Sequence, residues 1–240
     1  MALPNLSTKI LEHIRKPGVR SLGSRRPTLY PSQARSKILG GVVGTCLRSA
    51  FWSKTGEPKT NEVSEGVSLM AYMGNEIEDG LIDLCKDMGL WVANSVKWYN
   101  ERENVSGEID VVLDVPDTET GELIRINVEC KSCMGYYINK EVFGHNSGRG
   151  KNKVYIPGKP KDKHLMQSAL YADVTKDIHA GTLLIYFSRD ESKMKEFMIT
   201  IGDDGGIYID GRREERFTIQ DIYESYGELQ EHLDSGELPP

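Results

Sequence analysis

Two carboxylates and an ammonium lie within two alternating stretches of the chain: Asp110 in GEIDVVLDV, and Glu129 and Lys131 in LIRINVECK. Both stretches alternate apolar and polar residues at the two-residue period of a half-buried strand. A Pro/Asp/Thr/Gly segment joins them, so together they predict a β-hairpin. Placing Asp110 opposite Glu129 centres the turn between Glu119 and Thr120. That register sets Val111 against Val128, Leu113 against Ile126 and Val115 against Ile124 on one face. On the other face it sets Asp114 against Arg125 and Val112 against Asn127. A slip of one residue would oppose apolar and polar side chains throughout; a slip of two stays open.

The favoured register places like charges opposite each other, with Asp110 and Glu129 Cβ atoms roughly 5 Å apart, which is destabilising without a compensating charge. A divalent cation resolves the repulsion, because hard cations gather carboxylate and carbonyl oxygens. Lys131, two residues beyond Glu129, falls on the same face by strand alternation. Paired carboxylates with an ammonium beside them suit metal-assisted hydrolysis.

The surrounding elements must hold this hairpin in place. Apolar positions Met70, Met73, Ile77, Leu81, Leu84 and Met88 recur at steps of three and four, predicting a helix over about Gly66–Met88 with Gly89 as its stop. A short apolar piece follows at Leu90–Trp98. Leu165–Val174 reads as a helix, Thr182–Phe187 and Glu196–Ile201 as strands, and Gln220–Leu233 as an acidic helical tail. Ser32 is a candidate cap for a helix through QARSKILGGVVGTCLRSAFW, although Gly40, Gly41 and Gly44 weaken it. The order predicts an α/β (or α+β) fold with a central mixed sheet flanked by helices. We expect one domain over residues 32–240, with its core at about 66–201, preceded by a basic irregular arm at 1–31.

Residues 134–163 form a long Gly/Lys-rich stretch, read as a structureless loop. Its second half carries Arg149, Lys151, Lys153, Lys159, Lys161 and Lys163 against Asp162 alone, with Tyr136, Tyr137, Phe143 and Tyr155 in or beside it. Cations interleaved with aromatics suit a loop that grips a nucleic-acid strand; a mobile, solvated loop is the alternative.

The pieces GEID (Gly107–Asp110), ECK (Glu129–Lys131) and QSALY (Gln167–Tyr171), in that order and after an acidic helix containing MGNEIEDG, resemble the PD-(D/E)XK nuclease superfamily in its RecB-like and phage exonuclease branch. The resemblance covers about residues 66–201. It implies a restriction-endonuclease-like fold in which Asp110 and Glu129 are metal ligands for one or two Mg²⁺ or Mn²⁺ ions. The main-chain carbonyl of Cys130 is then a further ligand. Lys131 positions the attacking water or stabilises the phosphate. Glu76 matches the upstream ligand position, with Glu78 and Asp79 as competitors for it. Lys163, Gln167 and Tyr171 share a helix face, which sets Gln167 beside the metal and Tyr171 and Lys163 on the DNA backbone.

The activity so implied is a metal-dependent DNA nuclease, an exonuclease acting on single- or double-stranded ends in recombination, repair or phage DNA processing. An endonuclease on the same core and an inactive DNA-binding module are the alternatives. A recombination or replication protein is an expected partner.

Composition bounds these expectations. The 240-residue chain has a net charge of −6, but unevenly distributed. Residues 1–60 hold eleven Lys or Arg against Glu12 and Glu57, whereas residues 201–240 hold three Arg against eleven Asp or Glu. Affinity for phosphate follows the local field rather than the sum. No apolar run is long enough to span a bilayer, and no secretory signal is evident. We therefore expect no membrane partner and a cytoplasmic location, with organelle import the alternative for the Arg-rich start. Cys46, Cys85, Cys130 and Cys133 suggest a reducing compartment. With no cysteine after Cys133, an iron–sulfur cluster of the RecB-like kind is not expected. Cys130-x-x-Cys133 lacks a second pair, and the five histidines show no ligand spacing.

Overall fold

Period-two alternation dictates the centre of the molecule. In the computed structural model, which describes residues 28–57, 65–117, 119–148 and 152–240, β4 (Val105–Pro116) and β5 (Leu123–Cys133) form the expected hairpin. Its register pairs Val111 with Val128, Leu113 with Ile126, Val115 with Ile124, Val112 with Asn127 and Asp114 with Arg125. The last pair is a two-pronged ion pair, Arg125 donating Nε and Nη2 to Asp114 at 2.8 Å each. The two-residue slip is excluded.

The hairpin lies within a seven-stranded sheet of order β11-β10-β9-β8-β5-β4-β3. The other strands are β3 (Trp91–Asn100), β8 (Thr182–Ser188), β9 (Lys193–Ile201), β10 (Ile207–Ile209) and β11 (Arg212–Arg213). Every pairing is antiparallel except β5 with β8, which is parallel and needs a crossover. Helix α2 (Glu65–Asp87) covers one face, where Ile82 and Cys85 pack on Val111, Leu113, Ile126 and Val128. Helix α4 (Asp162–Val174) covers the other face, burying Leu165, Met166, Ala169 and Leu170 completely. The architecture is mixed α/β with a helix-flanked central sheet, consistent with the restriction-endonuclease-like class.

Several expectations are corrected. The helix proposed from Ser32 onward is instead a 3-10 turn at Pro31–Gln33, a hairpin of β1 (Arg35–Ile38) and β2 (Gly41–Gly44), and helix α1 (Leu47–Thr55). Gly40 and Gly44 adopt φ +88° and +94°, the left-handed region that suits a tight reversal rather than a helix. The stretch 134–163 is not structureless: it holds α3 (Tyr136–Phe143) and a hairpin of β6 (His145–Ser147) and β7 (Val154–Ile156). The acidic tail is α5 (Ile219–Ser235), opened by a Thr218–Asp221 capping box. Its Ile222, Tyr226 and Leu229 are buried in the main cluster with Leu29, Leu47 and Phe51. The core therefore extends beyond 66–201, and Leu29 brings the end of the supposed arm into it. Residues 1–27 of that arm lie outside the described residues. Among the described residues, no helix is long and apolar enough to cross a membrane.

Candidate active site

The ladder between β4 and β5 ends at Val111 and Val128, so Asp110 and Glu129 sit one step beyond the last regular pair. There Asp110 Oδ2 accepts the amide N–H of Cys130 at 2.9 Å, which fixes the carboxylate against the β5 backbone. Gly107 lets the strand enter this position. A Cβ there would lie 2.8 Å from the Trp98 indole and 2.9 Å from Pro31.

Glu129 is fully buried. Its Oε1 accepts Nε2 of Gln167 at 2.8 Å and the Lys131 ammonium, while its Oε2 is buried with no hydrogen-bond partner. Gln167 also donates to the Tyr171 hydroxyl at 3.0 Å, and the Tyr171 ring meets Trp98 edge-on with centroids 5.9 Å apart. Asn127, two residues before Glu129, anchors the same helix. Its Nδ2 donates to the Tyr171 carbonyl at 3.2 Å, Thr175 Oγ1 at 2.7 Å and Thr182 Oγ1 at 3.2 Å, and its Oδ1 contacts His179 Nδ1 at 2.6 Å. A buried amide with its hydrogen bonds satisfied sets the position of α4 on the sheet, and therefore sets Gln167 over Glu129.

The electrostatics follow from burial. Desolvation pushes the Glu129 carboxyl up to about 8 despite the Lys131 ammonium, and the charge of Asp110 adds to the rise. Burial also raises Asp110, against the pull of Lys131 and the Cys130 amide. For Lys131, burial favours the neutral amine, but Glu129 and Asp110 overcome it and hold the group above its ordinary range. Burial works against the charge on both carboxylates and Lys131 offsets it only in part, so the site is short of positive charge.

That shortage tests the fit of a divalent cation. The open Oε2 of Glu129 and the carboxylate of Asp110 are hard oxygen donors of the kind Mg²⁺ and Mn²⁺ take. Among the described residues, no three His, Cys, Asp or Glu side chains are gathered as a ready-made ligand cluster, so the pair would need main-chain oxygen, water or substrate to complete a shell. The donor chemistry fits on those terms.

The other candidates divide sharply. Glu76 is exposed. Glu78, half-buried, is the acid of α2 whose charge reaches Glu129 and Cys130; a helix period fixes which residues share a face, but not which face turns to the site. Cys130 presents its amide to Asp110 and buries its side chain, whose thiol burial pushes up to about 12. Tyr171, expected on the DNA backbone, is 2% exposed; this is a correction, because α4 lays that face on the sheet and the tyrosine supports Gln167 from beneath. Lys153 and Lys163 are exposed and Lys161 is half-buried at the start of α4, while Arg149 and Lys151 lie outside the described residues.

Residues not singled out by sequence as site residues include Asn127 and Asp190. Asp190 accepts from Gly135 N–H at 2.8 Å, Asn139 Nδ2 at 2.7 Å and Ser188 Oγ at 2.9 Å, tying the start of α3 to the end of β8. Only the polar Asn127 in an otherwise apolar stretch of β5 offered a sequence signal. His164 places Nδ1 2.9 Å from the Tyr186 hydroxyl, and burial together with Lys131, Lys161 and Lys163 lowers it to about 3. It is therefore neutral at physiological pH.

No family model and no curated protein matches the chain. Solved structures similar to it include "Crystal structure of SSO0001", at 14% identity over 99% of this chain and 89% of that one, with a TM-score of 0.47. Another is a "Putative exonuclease" from Eubacterium rectale, at 11% identity over 100% of this chain and 89% of that one, with a TM-score of 0.38. Likenesses this loose do not bear on the chemistry, which rests on the geometry above.

Proposed function

We propose that the protein is a metal-dependent nuclease that hydrolyses phosphodiester bonds at DNA ends. The observation that carries this reading is the buried Glu129, with Oε1 held by Gln167 and Lys131, Oε2 without a hydrogen-bond partner, and the charge of Asp110 acting on the same carboxyl. When bound, a hard divalent cation such as Mg²⁺ or Mn²⁺ supplies charge against the phosphate oxygens and acidifies water. Glu129 and Asp110 would hold it, with Glu78 the acid of α2 nearest in charge. Gln167 fixes the rotamer of Glu129. Lys131, whose ammonium is kept charged by both acids, places a positive group where negative charge builds on the phosphate during in-line attack. Lys153, Lys161 and Lys163 supply the sequence-independent attraction for the DNA backbone.

The test is degradation of end-labelled linear DNA with Mg²⁺ or Mn²⁺, alongside covalently closed circles. We expect cutting of linear DNA that stops with chelator and spares the circles, and a loss on the order of 10²–10³-fold in Asp110→Asn. Cutting of the circles would make the enzyme an endonuclease. Hydrolysis that survives chelator would exclude the metal chemistry.

A further inference from the structure

Where the parallel strands β5 and β8 end, the chain opens a cleft of about 170 Å³. Crevices beyond the carboxyl ends of parallel strands, at the point where the connections diverge, are where open α/β sheets take ligands. The floor is the end of β5 at Ser132 and Cys133, directly after Lys131. Strand rise is about 3.3 Å per residue, so the floor begins within one nucleotide's reach of that ammonium. His164 on its wall feels the Lys131 charge. The cleft and the acidic pair are neighbours, but no side chain lining the cleft takes part in the carboxylate site.

Its lining is of two kinds. Met70 of α2, Met134 just before α3 and Ile138 within α3 form apolar walls, while Lys161 and Arg189 are its cations. Arg189 reaches the Met70 carbonyl at 3.5 Å through Nη1, and its Nε is buried without a hydrogen-bond partner. The nearby acids do not neutralise it: Asp190 is engaged by Gly135, Asn139 and Ser188, and Glu191 pairs with Lys193 at 2.7 Å. Thioether and aliphatic walls suit a flat apolar ring. Two cations beside them suit a phosphate. A nucleotide carries both groups on one small body.

We propose that this cleft is a nucleotide subsite, holding the unstacked base next to the phosphate at Lys131, with Lys161 and Arg189 on the flanking phosphate. A base held there cannot remain paired, so the substrate is a DNA strand with an unpaired end, and a blunt duplex must fray before it engages. The placement relative to the scissile phosphate rests on the nuclease reading; base binding itself does not.

The experiment is equilibrium binding of the full chain, in chelator so that nothing is cut, to a fluorescein-labelled single-stranded oligonucleotide and to the same backbone with abasic sites. Loss of base contacts should weaken wild-type binding about tenfold. Met134→Glu, which puts a carboxylate at an exposed position in the apolar wall, and Met70→Ala, which removes part of that wall, should each bring the ratio near one while melting as the wild type does. Equal affinity of the wild type for both ligands, or a tenfold ratio retained in both variants, would overturn the subsite. Base-dependent binding without any hydrolysis when Mn²⁺ is added would overturn the nuclease reading alone. Hydrolysis without base-dependent binding would overturn the subsite alone.

Discussion

Strand β5 and the segment that follows it are adjacent in sequence and opposite in character. From Ile126 to Cys130 every residue of β5 is buried, including Asn127 and Glu129. Beyond Tyr136 Val142 is buried, but three aromatic rings face outward: Tyr136 is 64% exposed, Tyr137 83% and Tyr155 59%. Even so, this segment is anchored. Gly158 passes so close to the Val142 carbonyl that no Cβ fits between them, Lys159 N–H bonds to Glu141 O at 2.9 Å, and Asp190 holds the start of α3. The two regions divide the labour. The groups that would act on a bond are held by burial and by hydrogen bonds to Gln167 and the Cys130 amide, with one Glu129 oxygen left unpartnered, and the groups that would meet a polymer stand in water on a braced segment.

The largest effect should come from the buried side. Tyr171→Ala removes a ring packed against Trp98 and is expected to cost about 3–5 kcal/mol of stability by denaturant unfolding. Tyr171→Phe keeps the ring but loses the acceptor for Gln167, and should cost about 1 kcal/mol. If alanine there costs no more than phenylalanine, the support for Gln167 is not one of packing.

On the exposed side the order reverses. Lys153→Ala, at an exposed position beside β7, should change stability by less than about 0.5 kcal/mol, yet weaken single-stranded DNA binding equally with and without bases and lower its salt dependence. A variant that destabilises the fold while binding normally would erase the contrast between the two regions.

The smallest effect concerns the brace. Three hydrogen bonds lower the Asp190 carboxyl to about 2. A folded-state value below the unfolded one contributes stability that is full above the unfolded value of about 3.9 and fades as pH falls toward the folded one. Protection of the α3 amides relative to their intrinsic exchange rates should therefore fall between about pH 4 and 2 in the wild type, and Asp190→Asn should remove that step. Protection that is flat across this range would show that Asp190 does not hold the helix.

The parts legible in the sequence are those where one physical pattern dominates. The β4–β5 register could be read because apolar pairs and the Asp114–Arg125 pair agree on it, and α2 because its three- and four-residue spacing runs for about five turns. Rotation about the helix axis was not legible. Met70, Met73, Leu84 and Met88 set the period, yet Ile82 and Cys85 are its buried residues, and the acid near Glu129 is Glu78 rather than Glu76. Short elements were hidden as well: β1 and β2 have four residues each, and the eight residues of α3 lie between Gly135 and Gly144, too few for a period to emerge. Tyr171 looked like a surface group because QSALY reads as a polar stripe; only the packing of α4 on the sheet turns that stripe inward.

The most direct measurement is the rate at which wild type and Lys131→Ala release labelled nucleotides from linear DNA in Mn²⁺, with melting curves confirming that both are folded. Wild-type turnover with the variant slower by on the order of 10²–10³-fold is the expected result. A folded Lys131→Ala that cuts as fast as the wild type would show that the amine beside Glu129 has no part in the reaction.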